Sequence, residues 1–218
     1  MKGLAGLILL LALLALGILA RTAEVTSHDL RIDQVVQQLR FPVATSMFLA
    51  LTNAASEIVG VGVLVVGVVS LVMRKRRWEA LRLTAMAGAA WVLAIRVKVI
   101  IARPRPPASL WALMPDSSGS FPSGHDTTAC VVVLVDVVMA FSGAARARAW
   151  ATAGAAAFAI TVGASRVYLG DHYPTDVLGS WLAVGAAACI VLAVADTRVA
   201  RGAGRALLRD AHIPQPAL

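Results

Sequence analysis

Six long apolar segments follow one another along this chain with no extended polar break between them. They cover residues 3–20, 46–73, 81–101, 122–141, 149–165 and 174–195. A bilayer core takes about 20 apolar residues of helix to cross. Backbone polar groups in lipid must also be satisfied within the segment or in a closed barrel. The pattern therefore predicts an all-α polytopic membrane protein with six transmembrane helices, in a single domain over 1–218 with a short basic cytoplasmic tail from about 197. Composition agrees, with 59% hydrophobic and 15% charged residues and a mean hydropathy of +0.77. Soluble domains hold about 45–50% apolar and 25% charged residues.

The first segment, with Lys2 before a leucine-rich run, also looks like a secretory signal. No small-x-small cleavage pattern precedes Arg21, so a retained helix is expected. The fifth segment is short and needs support from its neighbours.

The net charge of +8 is placed in clusters between the apolar runs. Lys2, the run Arg74-Lys75-Arg76-Arg77, Arg146 with Arg148, and Arg198, Arg201, Arg205 and Arg209 share one side if six helices cross. The positive-inside rule makes that side cytoplasmic. Nucleic-acid binding would want a basic face with exposed aromatics, and none is visible. Segments 21–45, 102–121 and 166–173 then lie together outside. Arg96, Lys98, Arg103 and Arg105 break the charge trend there, and an anion is their expected counterpart. Leu30, Ile32, Val35, Val36 and Leu39 are largely at helical spacing, which fits a short interfacial amphipathic helix or a solvated loop. Cys130 and Cys189 sit in apolar stretches, with neither a structural disulfide nor metal-ligand spacing expected.

The outer loops carry three groups of polar residues. Lys98 lies near the end of the third span, and Pro104, Pro106 and Pro107 stop that helix so that Arg105 falls in the loop. A compact ammonium and a planar guanidinium suit phosphate oxygens. Alone, the two would read as a snorkelling lysine and a headgroup-facing arginine. Pro122-Ser123-Gly124-His125 reads as a helix start with Pro122 at the first helical position. Its free N–H groups and positive dipole end would make a phosphate site. Arg166, His172 and Asp176 form the third group, with Pro174 opening the sixth helix. A spacing of four there brings Asp176 to the same face as His172. The carboxylate can then accept the imidazole Nδ1–H and leave Nε2 as a nucleophile.

Taken together, in order and with matching spacing, these groups resemble the three signatures of the type 2 phosphatidic acid phosphatase family, whose membrane members have six helices. The resemblance implies His172 as nucleophile, Asp176 as its orienter and His125 as the acid on the leaving oxygen. It implies Lys98, Arg105, Ser123, Gly124 and Arg166 as holders of the phosphoryl oxygens. Three cations and a helix N-terminus can compensate the developing charge, so neither a metal nor another cofactor is expected.

Other residues stand outside the motifs. Asp126 either tunes His125 or favours a first helical turn, and Asp171 beside His172 is left off the catalytic set. Glu57 is read as about three turns inside the second span, lining a headgroup entrance, and Asp136 as pairing with a base near the cytoplasmic side. His28 and His212 are read as solvated, and Trp78, Trp111 and Trp150 as interfacial anchors. The expected activity is lipid phosphatase, with polyprenyl (undecaprenyl-type) diphosphate favoured over phosphatidylglycerol phosphate and phosphatidic acid. The alternatives are lipid-diphosphate phosphotransfer and a transporter-like protein with a degenerate site. A haloperoxidase with a similar pocket is disfavoured by the spans. Partners are a lipid phosphate and the membrane. The expected location is the inner (plasma) membrane, the site facing the periplasm or extracellular side. The sequence carries no indication of oligomeric state.

Overall fold

The computed structural model describes residues 1–112, 114, 117–140, 145–197 and 202. Every regular element among them is helical: α1 (Lys2–Leu19), α2 (Ala23–Gln38), α3 (Pro42–Ala54), α4 (Glu57–Met73), α5 (Arg77–Ile101), α6 (Gly124–Ala140), α7 (Ala145–Leu169) and α8 (Pro174–Ala195), with a short 3-10 turn at Ala108–Leu110. The basic tail, with Arg198, Arg201, Arg205, Arg209 and His212, lies outside the described residues.

By length and hydropathy α1, α5 and α8 can each cross a membrane, and α3 with α4 adds a fourth crossing if that pair is one span. Neither α6, at 17 residues, nor α7, with Arg146, Arg148 and Arg166 along it, meets the same measure. Six crossings therefore rest on the sequence pattern.

Small residues let the helices approach. Ala87, Ala90, Ala183 and Ala187 are all buried on α5 and α8, as expected where close contact replaces the aqueous hydrophobic drive. One core joins Leu71, Leu83, Val131 and Val162 from α4 to α7; a second joins Leu13, Val97, Ile101 and Phe121 beside α1. α1 is thus a packed member of the bundle, running along α8. Ile58, Val66, Val99 and Ile100 point outward, an apolar exterior suited to acyl chains. At one end of the bundle Lys2 and Arg82 share the carboxylate of Asp196. The loops after α5 and α7 lie at the other end.

Three local readings change. The run 46–73 is not one continuous helix: α3 and α4 meet at 49°. Ser56 leaves the helical region (φ −63°, ψ 155°) and Glu57 opens α4, where the helix dipole favours a carboxylate. Glu57 is therefore at the start of the second helix of a bent pair and not three turns inside a continuous one. The second change is at α6, which begins at Gly124 and not at Pro122; the Ser123 carbonyl accepts the Thr127 N–H at 3.0 Å, which makes Ser123 the flanking residue. Third, α7 extends over 25 residues, well beyond the short segment expected. On α6, Asp136 has one carboxylate oxygen buried with no hydrogen-bond partner among the described residues.

The segment around 29–39 is helical, as one of its two readings had it. α2 starts at Thr22, whose Oγ1 accepts the Val25 N–H at 3.4 Å. Its acidic face is turned inward, with Asp29 and Asp33 buried, while Ile32, Val35 and Leu39 face out. A soluble helix would do the reverse. His28 is exposed, as expected.

Candidate active site

The site is built where α5 and α7 end and α6 and α8 begin. α5 stops at Ile101 because Ala102 turns left-handed (φ 46°) and its N–H bonds back to the Lys98 carbonyl. The prolines that follow cannot rejoin a helix. Lys98 stays on the last turn and donates Nζ–H to the Gly119 carbonyl at 2.9 Å. α7 ends at Leu169, and Gly170 follows at φ +81°. A Cβ there would lie 2.0 Å from the Leu110 carbonyl oxygen, so only glycine fits this reversal. It delivers Asp171 and His172 to the start of α8.

A cleft of about 940 Å³ opens among these ends, and Lys98, Arg105, Gly124, His125 and His172 line it. Asp176, Ser123 and Arg166 are buried behind its surface. Glu57 also lines the cleft; a Cβ on Gly124 would lie 3.7 Å from its carboxylate. Trp111 does too, with its indole N–H on the Pro106 carbonyl at 2.9 Å, which is more than an anchor's role. Apolar side chains of Val61, Trp91, Ile95 and Val99 continue the wall.

His172 is 2% exposed and its tautomer follows from its neighbours. An Arg105 Nη1–H lies 3.2 Å from Nε2. A guanidinium has no acceptor, so Nε2 must hold the lone pair. The proton is then on Nδ1, which faces Asp176 Oδ2 at 3.4 Å. Burial pushes the imidazole down to about 3, against the pull of Asp176 and with help from Arg105 and Arg166. A neutral ring with its lone pair on Nε2 is the form that can attack.

Asp176 is held on both oxygens. Its Oδ2 accepts the Tyr173 N–H at 2.9 Å and the Ser120 hydroxyl, and its Oδ1 accepts Arg103 Nη1–H at 2.7 Å. Arg103 in turn donates Nη2–H to Asp29 Oδ2 on α2 at 2.7 Å and stacks 4.0 Å from the Tyr173 ring centre. Burial pushes the Tyr173 phenol up to about 12. Arg166 pairs with Asp171 and donates to Thr52 Oγ1 at 2.8 Å. Arg105 also donates to the Asp171 carbonyl at 3.0 Å. Asp126 is fully buried against α7, 3.1 Å from where a Gly163 Cβ would stand, and does not line the cleft.

The sequence reading missed Arg103, Asp29 and the pairing of Asp171. Arg103 stood out only as a charge against the trend, and its counterpart is protein carboxylates. Asp29 has no local signal, since its partner is 74 residues away. Among the described residues no group of His, Cys, Asp and Glu has the arrangement of a metal site. Cys130 and Cys189 are free.

A helical membrane protein with a neutral, carboxylate-backed histidine and two cations on one cleft is built for phosphoryl groups. The chain belongs to the PAP2 superfamily, whose model matches residues 78–200. It is 29% identical over 178 residues to phosphatidylglycerophosphatase B of Bacillus subtilis (strain 168), covering 79% of this chain and 86% of that protein. The crystal structure of the PAP2-type phosphatidylglycerolphosphate phosphatase of Bacillus subtilis superposes with a TM-score of 0.72 at 26% identity, over 93% of this chain and 97% of that one. The LpxE structure from Aquifex aeolicus shares the fold, with a TM-score of 0.59 at 23% identity over 75% of this chain and 94% of that one. The protein is a membrane phosphatase of this superfamily acting on lipid phosphate.

Proposed function

We propose that this protein, as one domain, hydrolyses phosphatidylglycerol phosphate or a lipid phosphate of the same kind through a phosphohistidine. The observation that carries the reading is the neutral His172 with its lone pair on Nε2 at the cleft and Nδ1–H on Asp176. The Nε2 lone pair attacks phosphorus and a P–N bond forms as the P–O bond to the lipid breaks. His125, on the same cleft wall, gives its proton to the leaving oxygen. Water then attacks phosphorus, His125 takes its proton, the P–N bond breaks and phosphate leaves.

Lys98, Arg105 and the first turn of α6 at Gly124 hold the non-bridging oxygens, with Arg105 turning from Nε2 to the phosphoryl group. Arg166 contributes from behind through Asp171 and its own charge. Ser123 serves as the α6 flanking residue, its hydroxyl 3.5 Å from the Asp126 N–H. This cation set does the work of a metal, and the reaction is metal-independent.

The likeness to phosphatidylglycerophosphatase B ranks phosphatidylglycerol phosphate first. Polyprenyl diphosphate is the second reading, favoured by Lys98 and Arg105 on one wall, a cation for each of two phosphates. In both cases the apolar wall from Val61 to Val99 takes the tail. The site faces the periplasm or the outside of the plasma membrane, since the Lys2 and Arg74–Arg77 end is the cytoplasmic one by charge.

Purified protein is to be assayed on phosphatidylglycerol phosphate, polyprenyl diphosphate and phosphatidic acid. Phosphate release from the first, lost in His172→Gln, is expected. Preference for the diphosphate would reverse the ranking. No His172-dependent release from any of the three would overturn the reading.

A further inference from the structure

Behind His172 stands a chain of charges that the phosphate chemistry above does not use. Arg103, 1% exposed, lies between two buried carboxylates, Asp29 on α2 and Asp176 on α8, at 2.7 Å from each. Thr175 Oγ1 closes the group, accepting from Arg103 at 2.7 Å and donating to Asp29. Asp33, one turn along α2, is fully buried with no hydrogen-bond partner among the described residues. Burial, with Asp29 beside it, pushes its carboxyl up to about 8, so at neutral pH it is mostly protonated and adds little charge.

Two carboxylates against one guanidinium leave this group with one net negative charge. When Nε2 of His172 bonds to phosphorus the ring keeps its Nδ1 proton and becomes positive, so that single charge is its counter-ion. Without Asp29, Arg103 would neutralise Asp176 and the ring would lose that negative charge. In a water-poor interior such imbalances count heavily.

We infer that Asp29 is a positioning residue for the reaction, balancing Arg103 so that Asp176 serves His172 with an uncompensated charge. α2 is then a working part of the site, although Asp29 lies outside the residues matched to the superfamily, 78–200. Asp29 sets the charge that Arg103 would otherwise cancel, and it does not touch substrate. The inference rests on the phosphohistidine reading above.

The test compares Asp29→Asn with the double variant Asp29→Asn/Arg103→Gln, which restores the original net charge. It uses full-length protein on the lipid that the wild type hydrolyses. Kinetics, rapid-quench trapping of the phosphoenzyme and unfolding midpoints are read together. Asp29→Asn lowers kcat and phosphoenzyme formation by about ten- to a hundred-fold, the scale known for losing the partner behind a metal-bound histidine. KM stays within about twofold because no substrate contact is touched. The double variant recovers a large part of kcat.

Wild-type kcat in Asp29→Asn overturns the inference. So does a folded double variant no faster than Asp29→Asn, as a merely structural role predicts. If Asp29→Asn does not fold, turnover by the double variant decides in the same way. Phosphate release unaffected by His172→Gln overturns the phosphatase reading itself, which separates that failure from this one.

Discussion

His172 faces two opposed electrostatic demands. Asp176 favours the imidazolium, whereas burial, Arg105 and Arg166 favour the neutral ring, and the neutral ring wins with a value of about 3. The ordinary value is 6.5, so the unfolded chain takes up this proton first as pH falls. Stability tied to the neutral ring is therefore present above about pH 6.5 and is lost between there and 3, at about 1.4 kcal/mol per pH unit. Unfolding midpoints from pH 7.5 down to 5 should fall more steeply in wild type than in His172→Gln. Parallel slopes would show that the ring already titrates in the folded protein. Gly170 gives a second test at this scale. Alanine there meets the Leu110 carbonyl and a left-handed backbone that alone costs about 1–2 kcal/mol. Gly170→Ala should lower both the melting temperature and kcat, because it displaces the residue pair that ends in His172; unchanged kcat would count against that coupling.

At the scale of elements, the motifs were legible because each sits within a few residues of a helix end. Proline, glycine and charge mark such ends in sequence. The spacing of His172 and Asp176, the stop after Lys98 and the start near Gly124 all came from such marks. What did not come through is long-range. The break before Glu57 hides in an apolar run, although Ser56-Glu57 carries a helix-start pattern. α2 shows two faces in its periodicity, but periodicity does not say which face meets lipid and which meets Arg103. Asp33 provides a check on the inward face. Its carboxyl sits well above the ordinary 3.8, at about 8, so its burial costs more as pH rises between those values. Asp33→Asn should raise the melting temperature, and its advantage should widen from pH 5 to pH 8. An advantage that is flat with pH would place Asp33 in water.

For the whole molecule, charge distribution and site geometry point the same way. Of the four cations that broke the charge trend, Arg103 is engaged by Asp29 and Asp176, Arg105 by Asp171 and His172, and Lys98 by the Gly119 carbonyl. At the opposite end, Lys2 and Arg82 share one carboxylate, and in the Arg74–Arg77 run Arg76 pairs with Glu79. That end keeps its excess and should stay inside. Single cysteines at Met114 and Lys75, both exposed at opposite ends, test this. Cys130 is buried and Cys189 lies within α8, so the parent protein is the background control. In intact cells a membrane-impermeant maleimide should label Met114→Cys and leave Lys75→Cys unlabelled until the membrane is opened. Labelling of Lys75→Cys alone would invert the topology, and with it the leaflet from which the lipid reaches His172.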